Sequence, residues 1–208
     1  FITHNETGTG VLNDLFTIAP IIKNHPDQPL LLVDSVSALG AVDLPMDKLG
    51  IDVLVTASQK TWMSSPGLAM IAVSPYAWEK HQLSTFPRYY FDLSLYEKFG
   101  QKNQTPATPA VSVLFSLQTA LTLMKKQGKE NVFKKHLFLR DYLRKEIKKL
   151  GLTLLVSDQE ASPTVTSIFP PEGIDEKVWR NLLKEKYDLV IAGGMGELTS
   201  WLMTKVTI

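Results

Sequence analysis

Residues 30–33 read L-L-L-V and residues 53–55 read V-L-V. Successive side chains on a strand point to opposite faces, so an unbroken apolar strand must be covered on both sides. Both runs therefore belong in a mostly parallel sheet flanked by helices. Each ends in a polar outlet: the first delivers Asp34, and the second passes through Thr56, Ala57, Ser58 and Gln59 to Lys60. About one strand–helix–strand unit separates Asp34 from Lys60, which brings both to one sheet edge, where open α/β sheets collect ligands. Taken alone, Asp34 reads equally well as a helix N-cap, and Lys60 as an ordinary solvated loop lysine. Desolvation disfavours a charged lysine, however, and that is how a lysine becomes a nucleophile or Schiff-base former near neutral pH.

The 208 residues suffice for one large domain or one and a half. A net charge of +1 excludes the basic excess of a general nucleic-acid binder. Cysteine is absent, which removes disulfides, thiolate metal sites and a cysteine nucleophile, and fits a reducing, cytoplasmic setting. No apolar run approaches the ~20 residues of a membrane helix. The start, F-I-T-H-N-E-T-G-T-G, reads as a strand end entering a polar loop in mid-fold, so a fragment is expected.

Along the chain, the loop at residues 3–10 carries Asn5, Glu6, Thr7 and Thr9, with Gly8 and Gly10 permitting tight turns. It is either a ligand loop or a capping turn. Helical spacing of apolar residues predicts a helix over 11–23, followed by strands at 30–33, 51–56 and 68–73 and a short helix at 75–82. Residues 86–99 are rich in aromatics and show little periodicity, the mark of a loop lining a pocket or anchored on the surface. In Q-T-P-A-T-P, Thr108 is placed to cap a helix beginning at Pro109 and running to about 126. A second amphipathic helix covers 130–150, with Lys134, Lys135, Arg140, Arg144, Lys148 and Lys149 on its solvated face. Strands at 152–156 and 165–169, a helix at 176–185 and a strand at 189–192 complete a small α+β unit. The expected division is 1–126 and 127–208.

Four ordered motifs, H-N-E-T-G-T-G, L-L-V-D-S-V-S-A-L-G, S-Q-K-T-W-M-S-S-P-G and Q-T-P-A-T-P, resemble those of class V, fold-type-I aminotransferases that use pyridoxal phosphate. The alanine–glyoxylate, serine–glyoxylate and serine–pyruvate group is the nearest match. The resemblance implies the later part of a large α/β cofactor domain followed by a partial α+β small domain. It implies that Lys60 holds pyridoxal phosphate as an internal aldimine and serves as general base, and that Asp34 pairs with the ring nitrogen. Val36 would pack on the ring, Thr7 would lie by its 3-oxygen side, and Gln59 would be a polar contact. Thr105 and Thr108 would reach the cofactor phosphate of a neighbouring subunit, which requires a two-fold homodimer.

The implied reaction is ping-pong amino transfer between a small amino acid, alanine or serine, and a small 2-oxo acid such as glyoxylate or pyruvate. The family's first part, with its phosphate-binding loop, is expected to be missing here. After Gly196 the chain departs from the pattern: Thr204, beside Lys205, stands where relatives carry a substrate-binding arginine. An impaired fragment or a non-catalytic subunit with this fold is the alternative. A desulfurase-like lyase, which needs a cysteine, is disfavoured.

Overall fold

The computed structural model describes residues 1–200; Thr204 and Lys205 lie outside the described residues. Strand β1 (Ile2–Thr3) leads to a small antiparallel pair, β2 (Asn5–Glu6) with β3 (Val11–Leu12). Helix α1 (Leu15–Lys23) follows, then β4 (Leu32–Asp34), α2 (Met46–Leu49), β5 (Val53–Ala57) and β6 (Ala69–Val73). Helices α3 (Pro75–Leu83), α4 (Leu93–Gly100), α5 (Val111–Gln127), α6 (Lys129–Lys149) and α7 (Glu176–Tyr187) complete the α-helices of the described residues. The main sheet runs β1-β4-β5-β6. Its first two pairings are parallel and the last is antiparallel. The mostly parallel α/β expectation therefore holds. No helix among the described residues is long and apolar enough to cross a membrane.

The apolar runs explain the sheet. Leu31, Val33, Ile51 and Leu54 form one core with Leu15 and Ala19 of α1 and Leu44 and Leu49 around α2. A second core gathers Ile147 of α6, Ile168 and Ile191, with Trp179 and Leu183 of α7 packed against it. Beneath the first sheet, Asp52 is 3% exposed. Its carboxylate accepts from Leu31 N (2.8 Å), Lys23 Nζ (3.0 Å) and Ser74 Oγ (3.0 Å). One acid thus joins the end of α1, the entry to β4 and the turn before α3.

Several local expectations change, each for a physical reason. The first helix starts at Leu15, not at 11, because Val11 and Leu12 pair back onto β2 and Asp14 caps the helix by accepting from Phe16 N and Thr17 N. The aromatic segment is not all loop: Asp92 caps α4 through Ser94 N. Thr108 does not cap α5, whose N-cap position is Ala110 with no side-chain bond. Residues 152–156 and 165–169 meet at one bridge, Leu154 with Ile168, rather than forming full strands. Arg144 Nη2 takes the Val156 carbonyl at 2.6 Å, withdrawing an acceptor from the would-be ladder. Arg144 is 3% exposed and pairs with Asp158, so it is not on the solvated face. The strand expected at 189–192 is absent among the described residues: Ile191 is buried, while Leu189 and Val190 face solvent.

Two measurements check this packing. Asp52→Ala leaves the buried Leu31 N–H without its acceptor and Lys23 without its partner. We expect a loss of about 3 kcal/mol in urea unfolding; a loss below about 1 kcal/mol contradicts the role given to Asp52. The second concerns His4, buried with Nδ1 2.9 Å from Ser35 Oγ. Burial lowers its pKa to about 4, against about 6.5 in an unfolded chain. The unfolded chain gains this proton first, so the stability from a neutral His4 is complete above about pH 6.5 and declines on acidification towards about 4. His4→Gln should flatten stability across that window.

Candidate active site at the carboxyl edge of the sheet

Three parallel strands end at one edge, and each opens into a loop bearing a predicted residue. β1 opens into the Thr7 loop, β4 ends on Asp34, and β5 leads to Lys60. The backbone fixes Asp34 from both sides. Its carbonyl accepts from His4 N at 2.8 Å, and the next residue, Ser35, donates its N–H to Val55 O at 2.9 Å. The Asp34 side chain is exposed, and its Oδ1 accepts from Val36 N at 2.9 Å. This is the Asx geometry also expected of a capping acid. Here it braces the carboxylate at a strand end. Among the described residues the carboxylate has no ion-pair partner.

Lys60 lies in a turn that its own loop holds together. Met63 N donates to Lys60 O at 2.9 Å, and Ser64 N to Ser58 O at 3.0 Å. Met63 adopts φ 55°, a left-handed conformation uncommon for a side chain of its size. Ser58 is fully buried; its hydroxyl donates to Ser65 O at 2.7 Å and accepts from Leu68 N at 3.3 Å. Trp62 Nε1 donates back to Thr56 Oγ1 at 2.9 Å. Thr61 Oγ1 donates to Leu39 O, joining the lysine loop to the aspartate loop. Gly40 makes that closeness possible: at φ 108°, an added Cβ would meet Thr61 Oγ1 at 3.2 Å. Lys60 itself is half-buried, and it forms no salt bridge among the described residues.

The remaining predicted residues divide. Val36 is half-buried beside Asp34, and Gln59 is exposed next to Lys60. Thr7 is partly buried and donates to Ser37 Oγ at 2.9 Å. Among the described residues, no hydrogen bond joins Thr105 or Thr108 to this edge. Both are exposed, and Thr105 Oγ1 donates locally to Ala107 O at 2.7 Å. Sequence reading passed over Ser37 and Thr164, both buried and hydrogen-bonded to this edge. The only signal for Ser37 was its place among small residues in S-V-S-A-L-G; Thr164 lies far along the chain and carried none.

The residues present suit a pyridine cofactor bearing an aldehyde. An amine and a braced carboxylate leave adjacent strands at one edge, with the hydroxyl of Thr7 nearby in the β1 loop. Asn5 Oδ1 is a buried acceptor with no partner among the described residues.

Comparison with known proteins agrees. The family described as aminotransferase class-V matches residues 1–205. The soluble hydrogenase 42 kDa subunit of Anabaena cylindrica is 43% identical over 199 residues, covering 96% of this chain and 51% of that protein. The serine–glyoxylate aminotransferase of Arabidopsis thaliana is 34% identical, covering 95% of this chain and 50% of the relative. The crystal structure of an alanine–glyoxylate aminotransferase from Nostoc sp. superposes with a TM-score of 0.90 at 29% identity, over 99% of this chain and 55% of that one. The chain spans about half the length of the curated relatives it matches. On the family match and the shared fold, this chain belongs to the class-V aminotransferases.

Proposed function

We propose that this chain forms the lysine-bearing part of a pyridoxal-phosphate enzyme. Its reaction is the transfer of an amino group from alanine or serine to a small 2-oxo acid such as glyoxylate or pyruvate, in two half-reactions. One observation carries the reading: Lys60 and Asp34 leave adjacent parallel strands at the same edge, their loops joined by the Thr61–Leu39 bond.

When bound, pyridoxal phosphate supplies a carbonyl carbon for amino groups and a protonated ring that draws electrons from the substrate Cα. Asp34, braced at Oδ1 by Val36 N, would pair with the ring nitrogen and keep it protonated. Lys60 Nζ would hold the group and, as general base, would take the substrate Cα proton. Val36 and Gln59 flank these two groups, and Thr7 approaches from the β1 loop.

Thr105 and Thr108 belong to the same reading. Their exposure suits residues that reach the phosphate of a partner copy in a two-fold dimer. A division of the chain at 126 and 127 is supported by the two separate cores and by Gly128, at φ 89° between α5 and α6.

A second reading, a non-catalytic subunit of another assembly, draws on the name of the Anabaena relative as a hydrogenase subunit. One experiment separates the two. The full gene product is incubated with pyridoxal phosphate, reduced with borohydride and mapped by peptide mass. Label at Lys60, lost in Lys60→Ala, is the expected result; no label favours the subunit reading. In the same protein, Lys60→Ala should lower amino transfer by roughly 10³-fold or more. Asp34→Asn should lower it on the order of a hundredfold while leaving Lys60 able to be labelled.

A further inference from the structure

The segment from Ala161 to Ser167 lies far along the chain from the cofactor edge, yet it is among the most buried parts of the molecule. Ser162 is 0% exposed and Thr164 2%. It is laid against the Thr7 loop by backbone bonds: Leu12 N donates to Glu160 O at 2.8 Å, and Ser162 N donates to Gly10 O at 2.9 Å. Gly10 has φ 80°, and a Cβ there would meet Val165 O at 3.1 Å. So polar a segment is buried only if its hydroxyls are satisfied, and the bonds that satisfy them lead to the site.

The hydroxyls of this cluster form one connected set of hydrogen bonds. Thr164 Oγ1 donates to Ser37 O at 2.7 Å and accepts from Asn5 Nδ2 at 3.2 Å. It accepts also from Ser162 Oγ at 3.1 Å, because its own proton is committed to Ser37 and the Ser162 oxygen already receives Thr164 N and Val165 N. Ser37 Oγ accepts from Asn5 Nδ2 at 2.7 Å and donates to Asn5 O at 3.2 Å. Its remaining lone pair takes the proton of Thr7 Oγ1 at 2.9 Å. The Asn5 Nδ2 group also faces the Ser37 carbonyl at 3.4 Å. In this arrangement Thr7 gives its proton to Ser37 and presents lone pairs to the edge.

We propose that Thr164 and Ser37 are positioning residues of the cofactor edge. Through them the segment around Thr164 fixes Thr7 as a hydrogen-bond acceptor and holds the turn that follows Asp34. This rests on the cofactor reading above. Neither residue need touch the cofactor; Thr164 acts through Ser37 and Asn5, and Ser37 acts on Thr7 directly and on Asp34 through their shared turn.

The test uses the full gene product. Thr164→Val keeps the volume but removes one donor and two acceptor contacts. It should weaken pyridoxal phosphate binding about tenfold, measured by absorbance titration. It should also move the pH midpoint of the bound cofactor's absorbance by about half a pH unit. Thr164→Ser should restore both to within about twofold of the parent protein. A role in packing alone would lower Tm and leave affinity and midpoint unchanged, and that result overturns the proposal. If Thr164→Val does not fold, Ser37→Ala is read by the same two measurements, with the same unchanged result counting against it. A parent protein that borohydride does not label at Lys60 instead overturns the cofactor reading beneath.

Discussion

The site depends on how the end of β4 is held between its neighbours. Asp34 offers its carbonyl to His4 on one side, and Ser35 gives its N–H to Val55 on the other. These two bonds align the ends of three parallel strands. Backbone bonds of this kind are obligatory for buried strands, because an unpaired N–H or C=O away from water is costly. The edge is thus built by the main chain before any functional side chain contributes. Asp52 secures the opposite end of the same strands, taking Leu31 N while pairing with Lys23.

On that frame the two loops after β4 and β5 are joined laterally. Thr61 reaches the Leu39 carbonyl across the gap that Gly40 leaves open, and Trp62 folds back onto Thr56. Ser64 continues outward to Ser116 of α5 at 3.0 Å. A flexible lysine side chain is therefore mounted on a turn with little freedom of its own. Preorganisation of this sort lowers the entropy lost when a group is bound or a proton is moved. The hydroxyl cluster beneath Thr7 extends the same logic to side chains. Thr164 bonds to the Ser37 carbonyl and Thr7 to the Ser37 hydroxyl, so the three residues share one network.

Legibility from sequence followed the range of the interactions. The strands were visible because unbroken apolarity is a local signal. Asp34 and Lys60 were placed at one edge by the length of a strand–helix–strand unit. Helix ends were less legible. Val11 and Leu12 fit the helical period of α1, but pairing with Asn5 and Glu6 claims them for a strand. Thr108 has the right chemistry for a cap, but the helix begins three residues later, at Val111. Arg144 looked like one more member of a solvated basic face. It is buried because Asp158 and the Val156 carbonyl, beyond the end of its own helix, converge on its guanidinium.

By itself, then, the sequence determined the mostly parallel sheet, the apolar runs at its centre and the placing of an aspartate and a lysine after adjacent strands. Each follows from side-chain patterning within a few tens of residues. Only the tertiary structure decided that the lysine loop is tied to Leu39 and that Thr164 lies under the Thr7 loop. Those outcomes come from hydrogen bonds between groups up to 159 positions apart, such as Asn5 with Thr164. The pairing of such groups is set by which surfaces pack together, and no local periodicity encodes it.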